Sequence, residues 1–159
     1  MKIINNKYTK DLIIFIIPLL IFTLIFNIYY PGIIPFDGNN QWQQVQTKII
    51  TNAHPFFSTY FMYLLSKIWN DPKIVIFFQI IIFSFFWMIM CRNTRKDNFI
   101  KQILYTVFIS FIPIISLYSI TLWKDVLYSY YMMMLAFITY QIGRDNEVKK
   151  SQWKDAFLF

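Results

Sequence analysis

The chain has 159 residues, of which 57% are hydrophobic, 21% aromatic and only 14% charged. Soluble domains carry about 25% charged residues, so the polar surface here cannot cover a soluble fold, and disorder, which needs low hydrophobicity and high charge, is excluded too. Membrane residence remains: at about 20 residues per spanning helix there is room for four or five spans and little else.

The first apolar run, Leu12 to Tyr30, contains Pro18, which membrane helices tolerate. Its basic start fits a signal peptide, but Phe26-Asn27-Ile28-Tyr29-Tyr30 is no small-residue cleavage site, so an uncleaved anchor over 12–30 is expected. Pro31, Gly32 and Pro35 then end the helix and turn the chain. The outer loop 31–73 divides in two. Residues 38–53 are polar and rich in Gln, whereas 56–70 are apolar but short. On a helical wheel Phe57, Tyr60, Phe61, Leu64, Leu65 and Ile68 share one face. Ser58, Thr59, Ser66, Lys67 and Asn70 share the other. This predicts an interfacial amphipathic helix over about 55–70. Reading it as a span would put the Arg92–Lys101 cluster outside, against the charge rule. Further spans are expected over 74–91, 102–118 and 126–142, giving a single all-α, polytopic membrane domain of about four transmembrane helices.

The net charge of +7 is a topology code rather than a nucleic-acid footprint. Lys2, Lys7 and Lys10, the linker residues Arg92, Arg95, Lys96 and Lys101, and the tail residues Arg144, Lys149, Lys150 and Lys154 fall on one side. Lys48, Lys67, Lys73 and Lys124 fall on the other. The positive-inside rule puts both termini and the 92–101 linker in the cytoplasm, and 31–73 and 119–125 outside. The single Cys91 allows neither an internal disulfide nor a cysteine metal site, and reads as a small buried hydrophobe.

Few polar groups reach the outer face. Asp37 lies just past the first span, where it reads either as the N-cap of the next helix or as a general base or metal ligand. Asp125 begins the fourth span beside Lys124 and returns to the same face. The helix macrodipole would favour it there, yet a charged pair between spans often marks a site. His54, the sole histidine, precedes Pro55 on that face. One His and two Asp could coordinate a divalent cation or share a proton, although no ligand spacing singles this out. Gln41 and the neighbouring glutamines could bind hydroxyl-rich ligands, with Trp42 stacking on a sugar face. The plainer alternative is a solvated helix face.

Tyr30-Pro31-Gly32, Asp37, Gln41-Trp42, His54-Pro55 and Trp123-Lys124-Asp125, set in this order of spans, resemble the N-terminal part of GT-C-type membrane glycosyltransferases, such as the protein O-mannosyltransferases and the aminoarabinose transferase of lipid A. The resemblance covers nearly the whole chain. It implies transfer of a sugar from a polyprenyl-phosphate donor to a glycan, lipid or protein acceptor on the extracytoplasmic side, in cell-envelope synthesis. Asp37 and Asp125 would be the catalytic or metal-binding carboxylates, with Mg or Mn as the divalent cation. His54, Gln41 and Trp42 would bind substrate, and Lys124 would attract the lipid phosphate. The family's acidic pair is reduced here to Asp37 followed by Gly38. Family members are longer, so an N-terminal fragment of a bacterial enzyme, inactive alone, is expected. The alternatives are a non-catalytic accessory membrane protein and part of a polysaccharide polymerase or lipid-linked-sugar transporter. A transporter would place charged or glycine-broken segments at mid-span, where Gln79 is the clearest polar residue.

Overall fold

The computed structural model describes residues 6–51, 54–94 and 98–156, with side chains up to 144. It is helical throughout: α1 (Lys7–Ile28), α2 (Phe36–Thr47), α3 (Phe56–Ser66), α4 (Lys73–Asn93), α5 (Phe99–Phe111), α6 (Pro113–Ser119) and α7 (Lys124–Ala156). Two of these, α1 and α4, are long and apolar enough to cross a membrane, and the bent pair α5–α6 makes a third if it counts as one span. In the most apolar stretches of α1 and α4 only 28% and 39% of residues are buried, so most of their apolar surface faces outward, as it would toward lipid.

The helix α1 starts before the apolar run because the Asn6 side chain accepts a bond from the Tyr8 N–H at 3.2 Å and caps it. It packs along α4 through an aromatic ladder. Phe22 meets Phe83 at 5.1 Å and Phe26 meets Phe77 at 5.0 Å between ring centroids, around buried Val75, Ile76 and Ile80. Phe83 also meets Tyr130 at 5.2 Å, and Phe86 meets Tyr131 at 5.6 Å, which seats the first half of α7.

The helix α5 is inverted relative to a soluble amphipathic helix. Gln102, Thr106 and Ser110, four residues apart, are buried, while Leu104, Phe108 and Phe111 are exposed. The polar stripe bonds inward: Trp87 Nε1 donates to Thr106 Oγ1 at 2.9 Å, and Gln102 Nε2 donates to the Cys91 carbonyl at 3.1 Å. Such polar contacts hold helices together where lipid is as apolar as leucine and burial alone gives no drive.

The segment expected as one span over 102–118 is broken. Ile112 is extended (φ −63°, ψ 118°), as the residue before a proline prefers, and α6 starts at Pro113 with a 70° bend. The bend carries the chain toward the end of the bundle that holds the α1–α2 turn, called here the loop end. The opposite end, holding the last turn of α4 and the start of α5, is the linker end.

The helix α3 differs from expectation in its surroundings. Its Ser58 is only half exposed and its Thr59 does not face solvent. Thr59 is fully buried, and Gln41 Nε2 donates to Ser58 Oγ at 2.8 Å and to Thr59 Oγ1 at 3.2 Å, joining α3 to α2. The apolar residues Phe57, Leu64 and Ile68 are left exposed on the other side.

At the loop end Lys73 ties α1 to α4. Its ammonium donates to Tyr30 Oη at 2.9 Å, pairs with Asp71 at 2.8 Å, and lies 5.0 and 5.5 Å from the Tyr30 and Trp69 ring centroids. Burial pushes the Asp71 carboxyl up, but the bonds from the Lys73 side chain and backbone N–H, with the Lys73 charge, outweigh it and hold it below its ordinary value. A carboxyl lowered by folding adds stability that is present above its unfolded pKa and is lost as pH falls through the folded one. Acidification below about pH 5 is therefore expected to lower the unfolding midpoint in detergent. Asp71→Asn is expected to remove that part of the acid sensitivity. The effect is small because the pair is partly exposed.

Candidate functional site

The loop end is assembled from two segments far apart in sequence. Gly32, at φ +94°, turns the chain after α1, and its N–H donates to the Tyr29 carbonyl at 2.7 Å. Ile33 then forms an isolated parallel bridge with Thr121. The Ile33 N–H donates to Ile120 O at 3.0 Å, and the Leu122 N–H donates to Ile33 O at 2.8 Å. One turn further on, Gly38 of α2 lies against the Leu122 carbonyl so closely that any Cβ would collide with it. This contact seats the start of α2 on the strand-like segment that leads into α7.

Both acidic residues singled out in the sequence lie at this end, each second in its helix. Asp37 is not an N-cap: the cap position is Pro35, the helix begins at Phe36, and Asp37 sits in its first turn, where the positive helix end favours a carboxylate. Asp125 sits in the first turn of α7 in the same way.

Lys124 and Asp125 border a cavity of about 300 Å³ between α3, α4 and the start of α7. Phe57, Phe61, Met62, Val75, Leu127, Tyr128 and Tyr131 make it largely apolar. Its polar groups are Ser58, Gln79, Trp123, Lys124 and Asp125. Neither Lys124 nor Asp125 forms an ion pair among the described residues. Gln79 is fully buried, and its Nε2 donates to the Trp123 carbonyl at 3.2 Å. The Gln79 Oε1 and the Trp123 Nε1 are buried without a partner.

The other candidates lie elsewhere. Gln41 is fully buried in the α2–α3 contact described above, and Trp42 is half-buried against the core. His54 lines a separate open recess of about 360 Å³ with Asn40, Gln43, Gln44 and Thr51. The structure thus brings Lys124 and Asp125 together in one cavity, whose lining includes none of Asp37, His54, Gln41 and Trp42. Among the described residues no three His, Cys, Asp or Glu side chains gather as a metal site, and the cavity supplies one carboxylate, Asp125. That donor set does not by itself fit a bound divalent cation.

Two cavity groups went unassigned in the sequence. Gln79 announces itself as the one amide, with the hydroxyl of Ser84, inside the otherwise apolar middle of α4. The Trp123 indole N–H carries no such signal, because tryptophan near a membrane end is ordinary. Compared with known proteins, the chain matches no family model, no curated protein and no solved structure.

Proposed function

We propose that this chain carries a lipid-phosphate-sugar site of a membrane glycosyltransferase, acting on the extracytoplasmic side of a cell membrane. The observation that carries the reading is the apolar cavity bordered by one ammonium, Lys124, and one carboxylate, Asp125. A polyprenyl phosphate has the matching parts: an apolar tail for the Phe57, Phe61 and Leu127 wall, and an anion for Lys124. The motif order described above, which resembles GT-C-type enzymes, points the same way.

In this reading there are four spans, formed by α1, α4, the α5–α6 pair and the first half of α7. The linker end is cytoplasmic, in line with Lys7, Lys10, Arg92 and Lys101 lying there. The loop end is outside, so α2, α3 and the cavity meet the outer leaflet.

The chemistry follows from the two charged groups. An acceptor hydroxyl gives its proton to the Asp125 carboxylate as its oxygen attacks the anomeric carbon of the donor sugar. The bond from that carbon to the phosphate oxygen breaks, and the electron pair leaves with the lipid phosphate. Lys124 opposes the charge that grows on the leaving phosphate.

The test uses the protein in nanodiscs with a photoreactive isoprenyl phosphate. Labelling is expected on α3 and on the first turns of α7, and Lys124→Ala is expected to reduce it about tenfold, as for a charge-assisted bond. Labelling that is unchanged by Lys124→Ala, or spread evenly over α1 and α5, removes this reading.

A further inference from the structure

The two unpartnered atoms in the cavity differ in kind. Gln79 Oε1 is an acceptor and Trp123 Nε1 is a donor. The orientation of the amide is set by its neighbour, since only the NH₂ side of Gln79 can face the Trp123 carbonyl at 3.2 Å. A buried polar atom without a partner is costly, and such orphans are rare in folded proteins. Two of them on neighbouring residues that line one apolar cavity point to a ligand that completes them.

The chemistry of the pair restricts that ligand. A phosphate offers only acceptors and would be repelled by Gln79 Oε1. An ammonium offers only donors and leaves Trp123 Nε1 unserved. Neutral hydroxyl groups both donate and accept, so a polyol satisfies both atoms, through one hydroxyl or two. The hydroxyls would meet aromatic walls that include Tyr128 and Tyr131 and can stack on a sugar face. At about 30 Å³ per water the cavity has the room of about ten waters, enough for one monosaccharide-sized group.

We infer that Gln79 Oε1 and Trp123 Nε1 receive hydroxyl groups of the sugar on a lipid-linked donor. The inference rests on the transferase reading above and adds to it the residues that discriminate a glycosylated lipid from a bare one. Gln79 and Trp123 touch the sugar and take no part in the bond exchange.

The experiment is calorimetric titration of the protein in nanodiscs with short-chain isoprenyl phosphates. One is bare, and the others carry glucose, galactose, mannose or N-acetylglucosamine. At least one glycosylated form is expected to bind more tightly than the bare one. Trp123→Phe and Gln79→Met are each expected to reduce that preference about tenfold, leaving the affinity for bare isoprenyl phosphate intact, which also shows that the variants fold. If no glycosylated form binds more tightly, or if both variants keep the preference, the pair holds only a bound water and the inference is overturned. Lys124→Ala separates the two readings, because it is expected to weaken bare and glycosylated lipids alike. If it leaves the bare lipid unaffected, the transferase reading itself fails.

Discussion

In an enzyme completed by the further spans that the resemblance implies, Asp125→Asn is expected to lower sugar transfer from an isoprenyl-phosphate donor by about 100- to 10,000-fold, the usual contribution of a positioned general base. The amide keeps the size and the first-turn position of Asp125 but cannot take a proton from an acceptor hydroxyl. Donor binding, set by Lys124 and the apolar wall, is expected to stay within a few-fold, so the loss falls in kcat rather than in KM. Asp37→Asn is the informative companion. Asp37 sits in the first turn of α2, outside the cavity lining, where a carboxylate contributes about 0.3–1 kcal/mol through the helix dipole. Its removal is expected to cost less than about tenfold. Radiolabelled transfer in proteoliposomes measures both variants. Full activity in Asp125→Asn with none in Asp37→Asn would move the base to α2.

Gly38→Ala is expected to have the largest effect on the fold. The added methyl meets the Leu122 carbonyl, a backbone group of a residue whose N–H is bonded to Ile33, so it cannot rotate out of the way as a side chain could. A penalty of about 3 kcal/mol, the upper end for overpacking, is expected in denaturant unfolding in detergent. Because the same contact seats α2 on the segment leading to Lys124 and Asp125, lipid-phosphate labelling is expected to fall with it. Gly143→Ala is the control, as an added Cβ there meets nothing. Equal stability of the two variants would mean that α2 can lift off the 120–123 segment at little cost.

The helical, membrane-directed character of the chain was legible because it rests on apolar runs and their punctuation. The second run, between Pro72 and Arg92, became α4 to within two residues at either end. The break in α5–α6 was also written in the sequence, at Ile112-Pro113, but a hydropathy run reads through a proline that a backbone does not. Contacts across the sequence were less visible. A helical wheel places Thr59 on a polar face, yet whether water or another helix meets that face depends on Gln41, which the wheel of α3 does not contain. Gly38 looked like a lapse in an acidic motif, whereas its lack of a side chain is what lets α2 approach the Leu122 carbonyl. Asp125 and Lys124 could be placed on one face by counting spans. That Asp125 and not Asp37 lines the cavity follows from the packing of α3 against α4, for which the sequence holds no periodic signal.

The Ile33–Thr121 bridge also imposes an order on synthesis. A ribosome delivers Ile33 early and its partner only after the later helices α4 to α6 have emerged. Until then the backbone groups of Ile33 must be served by water at the membrane surface, because a lipid interior would leave them bare. The turn after α1 is thus an open clasp during translation that shuts when residues 120–122 arrive. Insertion of the first two apolar helices can be complete while the loop end is still unmade, so a nascent chain that stalls before Thr121 would hold its place in the bilayer without the segment that leads into Lys124 and Asp125.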